Sequence, residues 1–390
     1  MSTESNRNSI ALSGIAALAV MLIGLPLVGI VLSGGSVAAY LQFPPLTVIT
    51  SHAAFSLSAF VGLSLFGILV VAMICVPLIR AALRTRRTAP VARFPWFGWV
   101  GLAGGVLAWG VAWTRIEWLS SIQLHTFTPL WMAYILVING LTFRRTGRCL
   151  MTARTRYFLL LFPLSAVFWW FFEYLNRFVA NWYYVGGVAD MSAAQYVLFA
   201  TIPFSTVLPA VLSTQGWLLS FPAFDRAFGR SAAYGAAVPR FLGVLLLGVS
   251  GAGLMCIGIW PDYLFPLVWV SPLFVVLGVQ VLFGARTQID EICAGRWTGV
   301  VTVAVAALIC GFFWELWNTF SQARWVYSIP FVHAAKVFEM PVLGYMGYLP
   351  FGIQCLLIGE MAERGLGRYE ARVAETADSD ALVDGDLGHV

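Results

Sequence analysis

Runs of mostly apolar residues, several of them long enough to cross a bilayer, constrain this chain more than any other feature. A membrane-spanning helix needs about 20 such residues, and the runs lack the alternation of membrane β-strands. Charged residues are only 11% of the 390, against about 25% in soluble proteins. Lipid is therefore the predicted solvent for most of the chain. The expected spans are roughly 10–33, 55–80, 95–114, 128–143, 157–176, 195–218, 239–258, 263–283, 297–318 and 341–361.

The basic residues indicate how the chain is oriented. Nineteen of the 23 fall at the two ends and in one alternating set of loops, and four fall on the other face: Arg115, Arg177, Arg324 and Lys336. This positive-inside bias predicts a multi-pass protein of the inner (cytoplasmic) membrane with both termini cytoplasmic. Because topology accounts for the basic residues and Lys336 is the only lysine, no nucleic-acid partner is expected.

A duplication is the most informative pattern inside the chain. WFFEYLN at 170–176 matches FFWELWN at 312–318, so that Glu173 corresponds to Glu315 and Asn176 to Asn318 at a spacing of 142. Matching aromatic runs follow, Trp182-Tyr183-Tyr184 and Trp325-Val326-Tyr327. Each copy covers four spans, and an even number of spans preserves orientation, so parallel repeats are predicted.

The expected fold is therefore all-α and integral to the membrane, with about ten helices. Two extra N-terminal helices (1–90) precede repeat 1 (91–222) and repeat 2 (223–362). Residues 363–390 form an acidic tail that is short of large apolar residues, and a disordered cytoplasmic segment is predicted there.

The duplicated glutamates are the leading candidates for chemistry. Glu173 and Glu315 fall in the last, extracytoplasmic turns of their spans, with Asn176 and Asn318 three residues later on the same helix face. A carboxyl group near hydrocarbon is costly unless it is paired, so it is a functional-site hypothesis by default. The structural alternative is that Glu173 pairs with Arg177, and Glu315 with Arg324 or backbone donors, to close the helix ends.

Three histidines are predicted to lie on the same face. His52, His125 and His333, with carboxylates such as Glu339, could provide nitrogen and oxygen ligands for a metal ion. No pair has close ligand spacing such as HxxxH, so single interfacial hydrogen-bonding roles are the alternative, and the cofactor is left unknown. The six cysteines are scattered and are interpreted as small apolar core residues.

Proline and glycine interrupt two corresponding spans. Pro203 and Pro209 fall in span six, and Gly344, Gly347 and Pro350 fall in span ten. Because broken helices at membrane depth line cavities or pack in protein, a central cavity opening outward is predicted. Aromatic residues make up 15% of the chain; an interfacial belt explains most of them, and a minority are expected to line a pocket. Glu339 stands directly before Met340-Pro341, within pairing distance of Lys336 if that segment is helical.

The stretches FWWFFEYLNRFVANWYY, HTFTPLWMAYILVING and FEMPVLGYMGYLPFG resemble an uncharacterised family of bacterial polytopic membrane proteins. The duplicated layout, with acids near aromatic and proline-rich turns, is similar by analogy to membrane-embedded lycopene cyclases, in which carboxylates of paired repeats protonate an isoprenoid. Their Pro-x-Glu-Glu run is absent, since Phe338-Glu339-Met340-Pro341 carries a single acid before the proline.

The leading hypothesis is a membrane enzyme that acts on a lipid or isoprenoid by acid catalysis. Glu315 or Glu339 is the expected general acid, oriented by Glu173, Asn176 and Asn318. Whether the chain is an enzyme is left open, because two alternatives stand beside this one. A transporter or lipid carrier would continue the polar path inward, where Asn139, Gln280 and Gln354 are the main candidates. A non-catalytic subunit would use its aromatic face to pack against another chain.

Overall fold

The computed structural model describes residues 13–14, 16–45, 49–85, 89–187, 191–234 and 238–386, with side chains up to residue 367. It is 73% helical with almost no sheet, as the all-α prediction requires. Arg7, Arg86 and Arg87, three of the arginines used to predict orientation, lie outside the described residues.

Eleven longer helices carry the architecture of the described chain. They are α1 (Leu25–Leu32, preceded by the π-helical turn Val20–Gly24), α2 (Leu57–Arg84), α3 (Trp96–Trp113), α4 (Phe127–Thr146), α5 (Thr155–Val179), α6 (Ala193–Phe204), α7 (Val207–Leu219), α8 (Arg240–Cys256), α9 (Leu267–Leu282), α10 (Thr298–Thr319) and α11 (Tyr348–Asp386). Short helical turns lie between them, at Ala38–Leu41, Glu117–Leu119, Ser120–Gln123, Leu150–Ala153, Pro222–Phe228, Pro261–Leu264, Gln288–Cys293 and Val342–Gly347.

Six of these helical segments are long and apolar enough to cross a membrane, or seven if the bent pair Glu117–Gln123 and Phe127–Thr146 is one span. The chain is therefore a multi-pass helical membrane protein. Three further apolar helices, Ala16–Leu32, Arg240–Cys256 and Leu267–Leu282, are shorter and correspond to predicted spans one, seven and eight. Each is at the lower limit of the roughly 17–25 residues that span hydrocarbon, so the count of ten stays a prediction.

The helices pack in pairs beside a common core. Helix α3 packs along α4 and α8 packs along α9, each as an antiparallel neighbour, while α7 and α11 both pack against α10. One continuous apolar core joins these elements, with Trp131, Phe172 and Phe351 among its largest fully buried side chains. Helix α2 contributes little to this core and leaves most of its apolar surface exposed, as expected for a helix that faces lipid.

Two short ribbons are the only strands among the described residues. Strand β1 (Trp182–Val185) pairs antiparallel with β2 (Arg324–Tyr327), and Tyr183 lies opposite Val326 at its centre. Strands β3 (Lys336–Val337) and β4 (Met340–Pro341) form a hairpin whose two-residue turn is Phe338-Glu339. Glu339 thus lies in a hairpin turn, where Lys336 faces Pro341 across the ladder, and the predicted helical Lys336–Glu339 pairing does not form.

The chain differs from expectation at its end. Helix α11 continues to Asp386, so residues 363–386 are helical where the sequence predicts a disordered tail. All six cysteines are free; Cys149, Cys310 and Cys355 are buried, whereas Cys75 is exposed and Cys256 and Cys293 are half-buried. The interpretation of the cysteines as small apolar core residues therefore holds for the three buried thiols, whereas the other three lie nearer the protein surface.

Candidate functional site

Glu173 lies near the end of α5 and is only 4% exposed. One carboxyl oxygen, Oε1, accepts three hydrogen bonds from aromatic side chains: from the indole Nε1 of Trp169 at 3.0 Å, from Nε1 of Trp182 at 3.1 Å and from the hydroxyl of Tyr184 at 2.5 Å. Trp169 is one helical turn before Glu173, while Trp182 and Tyr184 come from strand β1 and reach back over the helix end.

Glu315 is the corresponding acid near the end of α10, and it is fully buried at 0% exposure. Its Oε1 accepts from the hydroxyls of Tyr327 at 2.7 Å and Tyr348 at 2.8 Å. Trp325 supports this group by donating its Nε1–H to the Tyr327 hydroxyl at 2.8 Å. The second oxygen, Glu315 Oε2, is buried and has no hydrogen-bond partner among the described residues.

The two acids differ at the position four residues before each. Trp169 donates to Glu173 from that position, whereas the equivalent residue before Glu315 is Gly311. A Cβ atom added at Gly311 would lie 2.4 Å from ring atoms of Tyr348. The missing side chain thus leaves room for the ring of Tyr348, which comes from α11. Tyr348 donates its O–H to Glu315, whereas Trp169 donates its indole N–H to Glu173.

Asn176 and Asn318 hold the strands rather than the carboxyl groups. The Asn176 side chain donates Nδ2–H to the Trp182 carbonyl at 2.7 Å and accepts from the backbone N–H of Asn181 at 2.8 Å. Asn318 donates to the Trp325 carbonyl at 2.8 Å and accepts from the Trp325 N–H at 2.9 Å. Each amide therefore fixes the strand whose aromatic side chains surround the nearby glutamate.

These side chains enclose a cavity of about 110 Å³ between the two halves. Twelve aromatic residues form most of its wall: Phe127, Trp169, Trp182, Tyr184, Tyr196, Phe199, Phe204, Trp269, Trp314, Trp325, Tyr327 and Tyr348. We call this cavity the aromatic pocket. Five of these residues also donate to Glu173 or Glu315, so one layer of side chains separates the carboxyl groups from the cavity.

Both helix breaks predicted from proline and glycine border the aromatic pocket. Helix α6 ends at Phe204 after Pro203, and α7 begins at Val207; all three residues line the cavity. In the second half, Gly344 and Gly347 of the turn Val342–Gly347 line it as well. Irregular backbone at these two places thus packs against a cavity inside the protein.

Arg324 is the charged side chain in the wall of the aromatic pocket. Its Nη1 donates to Glu339 Oε1 at 2.9 Å and to the Thr319 carbonyl at 3.2 Å. Glu339 is therefore at the pocket edge in an ion pair. Arg177 donates to the carbonyls of Ala39 and Gln42. Neither arginine forms the carboxylate pair that the structural alternative expected for Glu173 and Glu315.

Tyr184 and Tyr327 hold their hydroxyl protons strongly. Burial raises the pKa of each phenol well above its ordinary value, and the neighbouring carboxyl group, Glu173 or Glu315, adds to the increase. A phenol with a raised pKa remains a hydrogen-bond donor across the physiological pH range. The donors that surround the two glutamates are therefore persistent.

The three predicted metal-ligand histidines have separate surroundings. His52 Nδ1 lies 2.7 Å from Asp262 Oδ1, and its Nε2 lies 3.2 Å from the Ala180 carbonyl. The His125 ring packs edge-on against Phe199, and His333 Nδ1 accepts from the Ile329 N–H. Over the described ranges, no group of three or more His, Cys, Asp or Glu residues is placed to hold a metal ion.

Sequence reasoning identified both glutamates and placed the aromatic residues, Tyr348 among them, near the same face, but it missed the Tyr348–Glu315 contact, Gly311 and Asp262. The predicted duplication offered a signal for Gly311, because the 142-residue offset aligns it with Trp169. The contact of Tyr348 with Glu315 and that of Asp262 with His52 join residues 33 and 210 positions apart, and no local pattern predicts such pairs.

Comparison of the chain with protein-family models, with curated proteins and with solved structures finds no match.

Proposed function

We propose that this protein is a membrane-embedded enzyme that admits part of an apolar lipid or isoprenoid into the aromatic pocket and protonates it. The observation that carries this proposal is Glu315, which is fully buried, faces two tyrosine hydroxyls and leaves Oε2 without a partner. By the arginine distribution, the pocket would lie toward the extracytoplasmic face of the inner membrane.

The surroundings of Glu315 favour a neutral acid. An ionised carboxylate with one buried, unpaired oxygen loses several kcal/mol of hydration without recovering it. A protonated carboxyl group avoids that cost. Among the described residues, no cation donates a hydrogen bond to Glu315; its Oε1 partners are the phenols Tyr327 and Tyr348. Glu315 is therefore suited to storing a proton inside the protein.

Tyr327 and Tyr348 provide the route from Glu315 to the pocket, because both contact the acid and both line the cavity. In the proposed step, one phenol O–H rotates from Glu315 toward the cavity; Glu315 then gives its proton to that phenol oxygen while the phenol gives its own proton to a substrate carbon–carbon double bond. One proton leaves Glu315, the double bond becomes a carbocation, and the carboxylate left behind accepts from both phenols. Loss of a proton from the cation to the same carboxylate would complete an isomerisation or cyclisation and restore the acid.

The remaining sequence candidates receive different roles in this proposal. Glu339 pairs with Arg324 and so is better suited to holding charge at the pocket edge than to donating a proton. Asn176 and Asn318 keep the aromatic strands in place. Glu173 is the second carboxyl group behind the wall of the pocket.

We further propose that the two halves arose by duplication. At the centre of the β1–β2 ribbon, Tyr183 lies opposite Val326; these two residues are 143 positions apart, one more than the spacing of 142 between the two glutamates. Equivalent residues of two copies meet in this way when a two-fold axis passes between them. The equivalent bonds of Asn176 and Asn318 to the strand tryptophans support the same relationship.

The test is complementation of a strain that lacks the gene. Untargeted lipid analysis is expected to show an accumulated precursor, and the wild-type protein is expected to restore the normal profile. Glu315→Gln keeps the size of the side chain and removes its proton, so the precursor is expected to persist although the variant reaches the membrane at the wild-type level. Glu363→Gln, an exposed residue paired with Arg154, is the matched control. Full restoration by Glu315→Gln would refute the proposal.

A lipid carrier is the second candidate, favoured by polar contacts inside the helix core. Tyr134 and Thr214 hydroxyls lie 2.9 Å apart, Asn139 donates to Ser213 at 2.9 Å, and Gln215 donates to the Gly299 carbonyl at 3.1 Å. A carrier requires such polar groups away from the pocket. Unchanged lipid composition in the deletion strain, with altered distribution of one lipid between leaflets, would favour the carrier over the enzyme.

A further inference from the structure

Five hydrogen-bond donors in the wall of the aromatic pocket are directed at the two glutamates. Trp169, Trp182 and Tyr184 donate to Glu173. Tyr327 and Tyr348 donate to Glu315 in the same manner.

Two further ring donors are also engaged, one in the wall and one beside it. Trp325 donates to Tyr327, and Trp170, next to the wall, donates to the hydroxyl of Thr201. These side chains therefore present aromatic carbon surfaces and phenol oxygen lone pairs to a ligand.

Both remaining surfaces are electronegative. The faces of aromatic rings carry negative quadrupole potential, which attracts cations within about 6 Å of the ring centre. Phenol oxygens whose protons point elsewhere act as acceptors. Because the indole N–H groups and phenol O–H groups are the positive edges of these rings, directing them toward the glutamates leaves the negative regions toward the cavity.

The ionisable groups described around the pocket are three carboxyl groups, Glu173, Glu315 and Glu339, and one arginine, Arg324. Glu173 accepts three hydrogen bonds on one oxygen, an arrangement that stabilises a carboxylate. Arg324 is the opposing charge in the wall, and Glu339 neutralises it at 2.9 Å. In its ionised form, Glu173 has no ion-pair partner among the described residues and lies one side chain behind the cavity surface.

We propose that the aromatic pocket selects a positively charged organic group, of the weakly hydrated kind found in quaternary ammonium compounds, attached to an apolar chain. This proposal deepens the proposed function and rests on it only for the position of the ligand in the pocket. The charge preference does not require the acid chemistry of Glu315. A carbocation formed in the pocket would be stabilised by the same surfaces.

The dimensions of the cavity agree with a group of this kind. A volume of about 110 Å³ is well below the roughly 300 Å³ at which sites for drug-sized ligands begin. The pocket therefore has room for a compact headgroup or a short branched segment, while the remaining chain of an amphiphile would stay outside it. A quaternary ammonium group has no N–H to donate, which suits a wall that attracts positive charge mainly through rings.

The test compares three ligands with the same dodecyl chain and different headgroups. They are trimethylammonium, its neutral tert-butyl carbon isostere and the anionic sulfate. The full-length protein is placed in nanodiscs of uncharged lipid, binding is followed by quenching of tryptophan fluorescence, and empty nanodiscs correct for partition into lipid. We expect the ammonium ligand to bind about tenfold more tightly than the neutral isostere, and the sulfate to bind most weakly.

Glu173→Gln should reduce the preference for ammonium over the isostere to below about threefold, with the affinity for the isostere unchanged. Glu363→Gln, at an exposed ion pair with Arg154, should keep the wild-type preference. Should Glu173→Gln fail to fold, Glu339→Gln replaces it: loss of that carboxylate leaves Arg324 uncompensated and is expected to weaken ammonium binding. Equal affinity of the wild-type protein for ammonium and isostere overturns the inference.

The outcomes separate this inference from the proposed function. Ammonium selectivity together with full complementation by Glu315→Gln would leave a cation-selective pocket and remove the acid role. Loss of complementation in Glu315→Gln without ammonium selectivity would retain the acid role and remove the charge preference.

Discussion

Gly311 and Trp169 stand at the same distance before their glutamates, yet one has no side chain and the other has the largest. Trp169 donates directly to Glu173, whereas Gly311 opens the space that the Tyr348 ring occupies. The two acids thereby acquire different donor sets, an indole and a phenol from β1 plus Trp169 on one side and two phenols on the other. Glycine here acts by permitting close approach of a ring, not by adopting an unusual backbone conformation.

Replacement of Gly311 by alanine tests this description. The new Cβ would overlap the Tyr348 ring at 2.4 Å, so the ring must move and its hydroxyl should separate from Glu315. We expect destabilisation of about 1–3 kcal/mol, as for other overpacked cores, measured by thermal unfolding in detergent.

Two further variants serve as comparisons for Gly311→Ala. Gly110→Ala is the matched control, because a Cβ at Gly110 meets nothing within 4 Å and alanine favours helix formation. Tyr348→Phe keeps the ring and removes the hydroxyl, so it should lose function with a smaller change in stability than Gly311→Ala. Wild-type stability of Gly311→Ala would contradict the assigned close packing.

At the scale of elements, the β1–β2 ribbon joins the two halves. Each strand follows directly after a long helix, and an asparagine of that helix holds the strand backbone. The strands carry Trp182, Tyr184 and Tyr327 from both halves into one wall. A single four-residue pairing thus decides that the two glutamates contribute to the same pocket rather than to two separate ones.

The register of this ribbon is open to a cross-linking test. Tyr183 and Val326 are directly opposite, and opposite residues of antiparallel strands lie about 4.5–5.5 Å apart at Cα, within the range of a disulfide. In a background without the six native cysteines, the pair Tyr183→Cys with Val326→Cys should cross-link on mild oxidation.

The readout is protease cleavage between the halves, after which the two fragments stay joined until a reductant is added. Each single cysteine variant is the control and should separate without reductant. Efficient cross-linking of Tyr183→Cys with Arg324→Cys instead would show a different register, because those positions are diagonal neighbours at about 7–8 Å in the present one.

For the whole molecule, the arginine bias predicts the orientation in the membrane. Arginines cluster at 144–156 on one predicted side, and the segment that contains β1 lies on the other. If both termini are cytoplasmic, the aromatic pocket lies toward the extracytoplasmic leaflet.

Reporter fusions test this orientation. A phosphatase that is active only outside the cytoplasm should be active when fused after Gly187 and inactive after Arg148, and green fluorescent protein should show the opposite pattern. A fusion after Gly284, in the loop after α9, should resemble the one after Arg148 if α8 and α9 both cross the bilayer. Phosphatase activity after Gly284 would reduce the number of spans and place the two halves in opposite orientations.

The sequence by itself determined the membrane class, the helical architecture and the positions of most of the helices. These follow from long apolar runs and the need of every backbone group in hydrocarbon for an internal partner, which are local properties. The sequence also singled out Glu173 and Glu315, because a carboxyl group inside an apolar run is conspicuous. Only the tertiary structure decided that aromatic donors shield both acids from the cavity, that Asn176 and Asn318 hold strands, and that Glu339 pairs with Arg324. Those contacts join distant parts of the chain, and their geometry depends on how whole helices pack, which no local pattern encodes.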